Sequence, residues 1–285
     1  MCGVSHPLLI GDSLWLTVVY FNISEKLKNY YSVIPKERLP LQGEGKVLGM
    51  LLFYLRHGDP IYDPDSLTVL GEKQAEALAK RLSLYGIDKV FASTSNRAIM
   101  TAQPTCDLLH KKAELLDFCN EGHAWDELTV QRGKHRYWIF HDEYYKQLFT
   151  TDSIRQLSHR WYEHPELREG NYGKGINRIY DGTDEFLLSL GYEHERYTGR
   201  YKVIRSNEDR VALFAHHGFG IAFLSCLLDI PYPQFGLHFD ICHTGMTVIE
   251  FEESNGYVIP RILTLSSDSH LYREGLPTSG FGVRF

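Results

Sequence analysis

Two segments of the chain place histidine before glycine: Leu55-Arg56-His57-Gly58 and Ala215-His216-His217-Gly218. Each follows a short apolar run, MLLFYL before the first and VALFA before the second, of the kind that forms a buried parallel strand. A third run, Phe91 to Ser95, leads into Arg97 at the start of a helical pattern. In open α/β sheets the reactive centre lies beyond the carboxyl ends of the strands. These three exits would therefore gather two imidazoles and two guanidiniums around one small volume. Such a pocket attracts a dianion, because arginine grips phosphoryl oxygens with hydrogen bonds of fixed geometry. The first turn of the Arg97 helix would add free backbone N–H groups. Proton transfer needs a carboxylic acid as well, and Glu121, on the loop after Leu115-Leu116, is the candidate.

The elements that must position these groups can be read from hydrophobic period. Leu51–Leu55 and Asp88–Ala92 are strands; Leu70–Leu84 and Asn96–Leu109 are amphipathic helices, the second containing Pro104. Between about 122 and 180 regularity weakens and aromatic residues gather, among them Trp125, Trp138, Phe140, Tyr145 and Trp161. The spacing predicts an inserted helical segment there, packed over one end of the sheet. Thr183–Leu190 is helical, Tyr201–Ile204 and Val211–Ala215 are strands, and Ile221–Leu228 is a helix stopped by Pro231. Met246–Phe251 and Tyr257–Leu265 form an antiparallel pair across the turn Ser254-Asn255-Gly256. This order predicts a three-layer α/β sandwich with a mostly parallel central sheet and an aromatic-rich helical insertion.

Composition bounds the alternatives. The chain has 285 residues, 43% of them hydrophobic and 23% charged, which suits a globular protein with a sizeable core. A formal charge of −6 argues against a general nucleic-acid binder. No run approaches 18 apolar residues, so no membrane partner is expected. Five cysteines without a CxxC pair read as thiols of a reducing, cytoplasmic compartment. Residues 1–49 follow no sustained period and read as an N-terminal extension, with Met50 the natural beginning of a domain running to residue 285. Oligomeric state is not legible.

FYLRHG, Phe53 to Gly58, resembles the RHG motif of the histidine phosphatase superfamily, which includes the cofactor-dependent phosphoglycerate mutases. LTVLGEKQAEALAKRL, FASTSNRAIMTA, FCNEG and VALFAHHG follow in the order that family would have. The resemblance covers roughly residues 50 to 271 and implies a phosphoglycerate mutase-like fold. It also implies that His57 becomes phosphorylated, that Arg56 and Arg97 bind phosphate, and that Glu121 donates a proton. The second catalytic histidine would be His216, which would also bind phosphate. That family usually follows a small residue and this histidine with two glycines; here His217 replaces the first, and a shifted alignment would make His217 catalytic. The loop Asp59-Pro60-Ile61-Tyr62-Asp63 lacks the Thr and Asn common after RHG. CHTGMTVIEF resembles a segment that faces the active site, so His243 and Thr244 join His217 as candidate substrate contacts.

The activity so implied is metal-independent hydrolysis of a small phosphorylated metabolite through a phosphohistidine, with no cofactor. Phosphoglycerate mutase-type phosphotransfer is the first alternative, and it would need extra cations, for which Arg132, Lys134, His135, Arg136 and Lys146 are available. A non-catalytic phospho-ligand binder or regulatory protein is the second. The other histidines, His141 among them, sit at no metal-ligand spacing and read as structural. Asp126-Glu127 reads as a solvated face.

Overall fold

A computed structural model of the protein describes residues 49–280. The expected N-terminal extension lies outside the described residues, apart from Gly49 in the first strand. In chain order come β1 (Gly49–Arg56), β2 (Pro60–Tyr62), β3 (Asp65–Leu67), α1 (Val69–Tyr85), β4 (Lys89–Ser93), α2 (Asn96–Leu109) and β5 (Ala113–Leu116). The middle of the chain holds α3 (Glu121–Glu127), β6 (Thr129–Arg132), β7 (His135–Trp138), α4 (Glu143–Phe149), α5 (Asp152–Leu157) and α6 (Tyr172–Leu190). Then follow β8 (Tyr192–Glu195), β9 (Arg200–Val203), β10 (Arg210–Ala215), α7 (His217–Leu228), α8 (Tyr232–His238), β11 (Met246–Ser254), β12 (Tyr257–Val258), β13 (Arg261–Ser267) and α9 (Ser269–Arg273).

The main sheet has nine strands in the order β5-β4-β10-β1-β11-β12-β9-β8, with β13 paired to β11. It is mixed. Its parallel heart is β5, β4, β10 and β1, in a register that sets Phe53 beside Ala212, Ala212 beside Val90 and Val90 beside Ala113. Antiparallel pairing extends the sheet from β11 outward. Strand β1 explains the three layers, since alternate side chains point to opposite faces. Leu51, Phe53 and Leu55 pack with Leu78 and Leu82 of α1 and Ala102 and Cys106 of α2. Met50, Leu52 and Tyr54 join the larger core under α6 and α7, which includes Ile176, Ile179, Phe219 and Phe223. The four cysteines among the described residues are buried free thiols. None of the described helices is long and apolar enough to cross a membrane.

Several boundaries differ from the sequence reading, for physical reasons. Helix α6 starts at Tyr172, well before Thr183, because its glycines are packing contacts and not breaks. A Cβ on Gly173 would lie 2.7 Å from the Tyr162 ring, one on Gly175 2.5 Å from Glu127, and one on Gly182 2.4 Å from Phe118. Helix α7 begins directly at His217, with extended His216 as its N-cap. Pro260 divides the last predicted strand into β12 and β13, since proline cannot donate to a ladder. The turn before β12 has φ of 51° at Asn255 and 80° at Gly256, the paired positive values of a type I′ hairpin. Glu127 is not a solvated residue: it is buried and accepts from Arg178 Nε of α6 at 2.8 Å. The aromatic residues between β5 and α6 mostly enter the larger core; Trp161 stacks on Tyr232 and meets Phe149 edge-on.

The antiparallel edge is tied to the helices by charge. His194 of β8 has a fully buried side chain between Asp184 of α6, at 2.7 Å, and Asp229 at the end of α7, at 3.1 Å. Its ring stacks on Tyr201 of β9, with centroids 4.2 Å apart. Burial opposes its charge, but hydrogen bonds to Asp184 and Asp229 outweigh that and raise its pKa above 6.5. A raised histidine pKa stabilises the fold fully below the unfolded value, and that stability is lost as pH rises through the folded value. His194→Gln should cost about 3 kcal/mol near pH 6, because it leaves two carboxylates without their cation. Thermal melts from pH 5 to 9 check this: the variant's deficit should shrink as pH rises, and a pH-independent deficit would contradict a charged His194.

Candidate active site

The site lies where β1, β4 and β10 end. Backbone hydrogen bonds join the exits: His57 N–H donates to Ala215 O at 2.9 Å, and Thr244 N–H to His57 O at 3.2 Å. The turn after His57 is pressed against the start of α1. A Cβ on Gly58 would lie 2.6 Å from Gly71 O, and one on Gly71 2.2 Å from Asp59 O. Glycine at both positions lets the backbones meet, and Gly58 N–H then donates to Thr101 Oγ1 at 3.0 Å.

His57 is buried, and its Nδ1 lies 2.7 Å from Gly58 O. A carbonyl only accepts, so Nδ1 carries the proton and Nε2 carries the lone pair. The rings of His57 and His216 have centroids 5.3 Å apart. One ligating atom each of His57, Glu121 and His216 falls within 4.8 Å of the others. Glu121 does not lie on a loop: it is the first residue of α3, behind the N-cap Asn120. Its Oε1 accepts from Phe219 N–H of α7 at 3.0 Å, and its Oε2 lies 3.4 Å from His216 Nδ1.

The two arginines are fixed in different ways. Arg56 donates from Nη1 to Ile241 O at 2.6 Å and Gly280 O at 2.9 Å, and from Nη2 to His243 Nε2 at 2.9 Å. Arg97 donates from Nη1 to Asp65 Oδ1 at 2.7 Å. Arg56 Nε, Arg97 Nε and His216 Nδ1 are buried and make no hydrogen bond within the described residues. Three buried groups able to donate, grouped around a neutral imidazole, make a receptor for an oxyanion. Burial, then the neighbouring His216 and Arg56, hold the His57 pKa well below 6.5. Burial, then Arg97 and Arg56, depress His216 as well. Burial also raises Glu121 above 4.5. An unprotonated imidazole therefore faces a carboxyl group biased toward its acid form, as nucleophile and general acid require. The triad spacing of His57, Glu121 and His216 would also suit an ion. Two guanidiniums beside it favour an anion instead.

The remaining predicted residues lie around this centre. His243 is buried, its ring 5.5 Å from that of His57, and it bridges Arg56 to Ser279, whose Oγ is 2.9 Å from Nδ1. Burial, then Arg56, lowers its pKa to about 2. Thr244 is buried with φ of 53°; its hydroxyl donates to His243 O at 2.7 Å and lies 3.0 Å from His270 Nε2. His217 Nε2 lies 2.5 Å from Asp240 Oδ1, and its ring is 5.6 Å from that of His141.

Residues 53–163 match the histidine phosphatase superfamily, branch 1. No curated protein matches the chain by sequence. Among solved structures it is similar to a phosphoserine phosphatase from Entamoeba histolytica in complex with 3-phosphoglyceric acid. That likeness has a TM-score of 0.50 at 18% identity, covering 78% of this chain and 99% of that one. A mycobacterial glucosyl-3-phosphoglycerate phosphatase has a TM-score of 0.50 at 16% identity, covering 76% and 98%. At these identities the likeness is one of fold.

Two supporting groups, Ser93 and Tyr54, were not singled out from the sequence. Ser93 Oγ lies 2.7 Å from His216 Nε2. Tyr54 OH donates to His216 O at 2.6 Å and accepts from His216 N–H at 3.2 Å. The available signal was polarity in an apolar setting: a fully buried tyrosine needs a partner for its hydroxyl, and a serine closing a buried strand invites the same question. Tyr54→Phe keeps the ring on Phe223 but frees the His216 backbone. We expect kcat to fall roughly tenfold with KM little changed, the equivalent of about one hydrogen bond. An unchanged kcat, or a loss confined to KM, would show that Tyr54 does not position His216.

Proposed function

We propose that the protein is a phosphomonoester hydrolase that acts through a phosphohistidine at His57 Nε2 on a small phosphorylated metabolite. The gathering of Arg56, Arg97 and His216 about the neutral His57, with Arg56 Nε and Arg97 Nε buried and making no hydrogen bond, carries this reading. His57 Nε2 attacks phosphorus in line while the ester P–O bond breaks. Arg56, Arg97 and His216 balance charge on the equatorial oxygens. Glu121 gives its proton to the departing alcohol oxygen, then takes one from the water that cleaves the P–N bond, so both proton and phosphate are accounted for. His216 is preferred to His217 because His217 is held by Asp240. His243 acts through Arg56, which it touches directly. The proposed reaction needs no metal, since the guanidiniums of Arg56 and Arg97 supply the positive charge.

Hydrolysis is preferred to mutase-type transfer because three of the five candidate cations are engaged elsewhere. Arg132 pairs with Asp142, Arg136 with Asp126 and Lys146 with Glu143. A non-catalytic binder would be expected to lack one of the five central residues, and all five are present.

His57→Ala should abolish turnover while the fold survives, because the change lies at a strand exit. Acid quench of the wild type with labelled phosphoester should trap an acid-labile, base-stable adduct at His57. Full activity in the variant, or label on another residue, would refute the mechanism.

Glu121→Gln should lower kcat by about 10²-fold or more for an alkyl phosphate, the usual contribution of a general acid. With p-nitrophenyl phosphate the leaving group needs no proton, so a burst of nitrophenol should precede slow turnover. Activity should rise with pH as His57 loses its proton, below 6.5, and fall as Glu121 ionises, above 4.5. The alkaline limb should vanish in the variant, and its persistence would assign that limb to another group.

A further inference from the structure

Beside the phosphate site, three side chains from separate segments converge without a role in the reaction above. His141 follows β7, His217 opens α7, and Asp240 precedes β11. One ligating atom from each lies within 4.8 Å of the others. We propose that His141, His217 and Asp240 form a binding site for a divalent first-row transition ion, zinc foremost, at the rim of the phosphate pocket.

Two imidazoles and one carboxylate are a donor set suited to zinc, which leaves coordination positions for water or a substrate oxygen. Neighbouring donors of a tetrahedral zinc stand roughly 3.4 Å apart, given bonds of about 2.1 Å. The present spacing therefore needs only small side-chain rotations. The donors are held from behind. Asp240 Oδ1 accepts from Ile241 N–H at 2.7 Å. The Phe140 ring lies 4.5 Å from the His141 ring and 5.9 Å from that of His217. Such outer contacts orient metal ligands. The cluster is also open to solvent on one side: the side chain of Asp240 is 42% exposed and that of His217 only 11%. His217 Nε2 and Asp240 Oδ1 lie 2.5 Å apart, and an ion bound between them would replace that direct contact.

The triad His57, Glu121 and His216 also has one ligating atom each within 4.8 Å of the others, and both Arg56 and Arg97 act on Glu121 there. At the rim Arg56 acts on His141 and Asp240 as well, but among the described residues no guanidinium or ammonium makes a hydrogen bond with His141, His217 or Asp240. Position gives the rim site access to substrate. His217 directly follows His216, and Ile241, next to Asp240, holds Arg56 through its carbonyl.

The test uses the full chain stripped with chelator and titrated with Co²⁺, read by d–d absorption and displaced by Zn²⁺. One equivalent should bind saturably in the wild type and in His57→Ala. His141→Ala and Asp240→Asn should each weaken binding at least tenfold, since loss of even an outer partner costs that much. Anomalous diffraction at the zinc edge from wild-type crystals avoids any question of variant folding. It should place one peak about 2.0–2.2 Å from all three residues. No saturable spectrum, a peak elsewhere, or binding lost in His57→Ala but kept in His141→Ala would overturn the proposal.

Discussion

The buried guanidinium of Arg56 is the constraint on which the site depends. Only 6% of this residue is exposed, and a buried charge is tolerated only where hydrogen bonds replace water. The chain meets that requirement with groups far apart in sequence: the carbonyls of Ile241 and Gly280 and the ring of His243. None of these is a counter-ion. The positive charge is therefore solvated but not neutralised, and its field extends to the neighbouring imidazoles. Burial comes first in lowering His57, His216 and His243, and Arg56 adds to it in all three. In the proposed reaction one side chain thus helps receive the anion and helps keep His57 unprotonated.

Fixing that charge requires the strand exits to be rigid relative to one another. Parallel strands buried on both faces supply the rigidity, because their register is set by packing on two sides. Short links between exits carry it to the site: His57 to Ala215 and Thr244 through backbone, and His216 to Tyr54 through a hydroxyl. Glu121 arrives by a different route. It stands at the first turn of α3 and accepts from the first turn of α7, so two helix starts fix one carboxylate. The larger core beneath α7 keeps those helices from sliding, which ties the aromatic residues of the middle segment to the geometry of the acid.

What could be read in the sequence followed from local rules. Apolar runs ending in Arg-His-Gly or Ala-His-His-Gly located two strand exits, and period-3.6 patterns located α1 and α2. These pointed to Arg56, His57, Arg97 and His216, while Glu121 came from the need for a carboxylic acid and the roles of all five from the family resemblance. Long-range relations escaped the same rules. Nothing near Arg56 indicates that Gly280 will hold it, because that contact arises only when the chain end folds back over β1. The glycines of α6 read as breaks since a helix penalises glycine locally, while tertiary close approach repays it. Glu127 read as solvated because its partner, Arg178, lies across the fold. His141 was set aside for a related reason: ligand spacing along a chain cannot detect donors drawn from three separate loops.

The unpartnered atoms give the site its direction. A buried donor left without an acceptor costs about 1–3 kcal/mol, and Arg56 Nε and Arg97 Nε stand in that condition. Their cost is borne by the free protein and relieved by any oxyanion that reaches them. A tetrahedral phosphate ester can satisfy them in part. A phosphoryl group in transfer, its three equatorial oxygens spread in a plane, can offer an acceptor to each. Interactions that strengthen from the first geometry to the second lower the barrier and not merely the binding constant. The same reasoning explains why the donors belong to residues held so firmly elsewhere. A mobile arginine would collapse onto the nearest carboxylate, such as Glu121, and cancel both charges. Arg56 cannot do so, because its other nitrogens are committed to Ile241, Gly280 and His243, and Arg97 is restrained by Asp65. Keeping acid and cations apart, yet close to one phosphorus atom, is the work done by the fold around them.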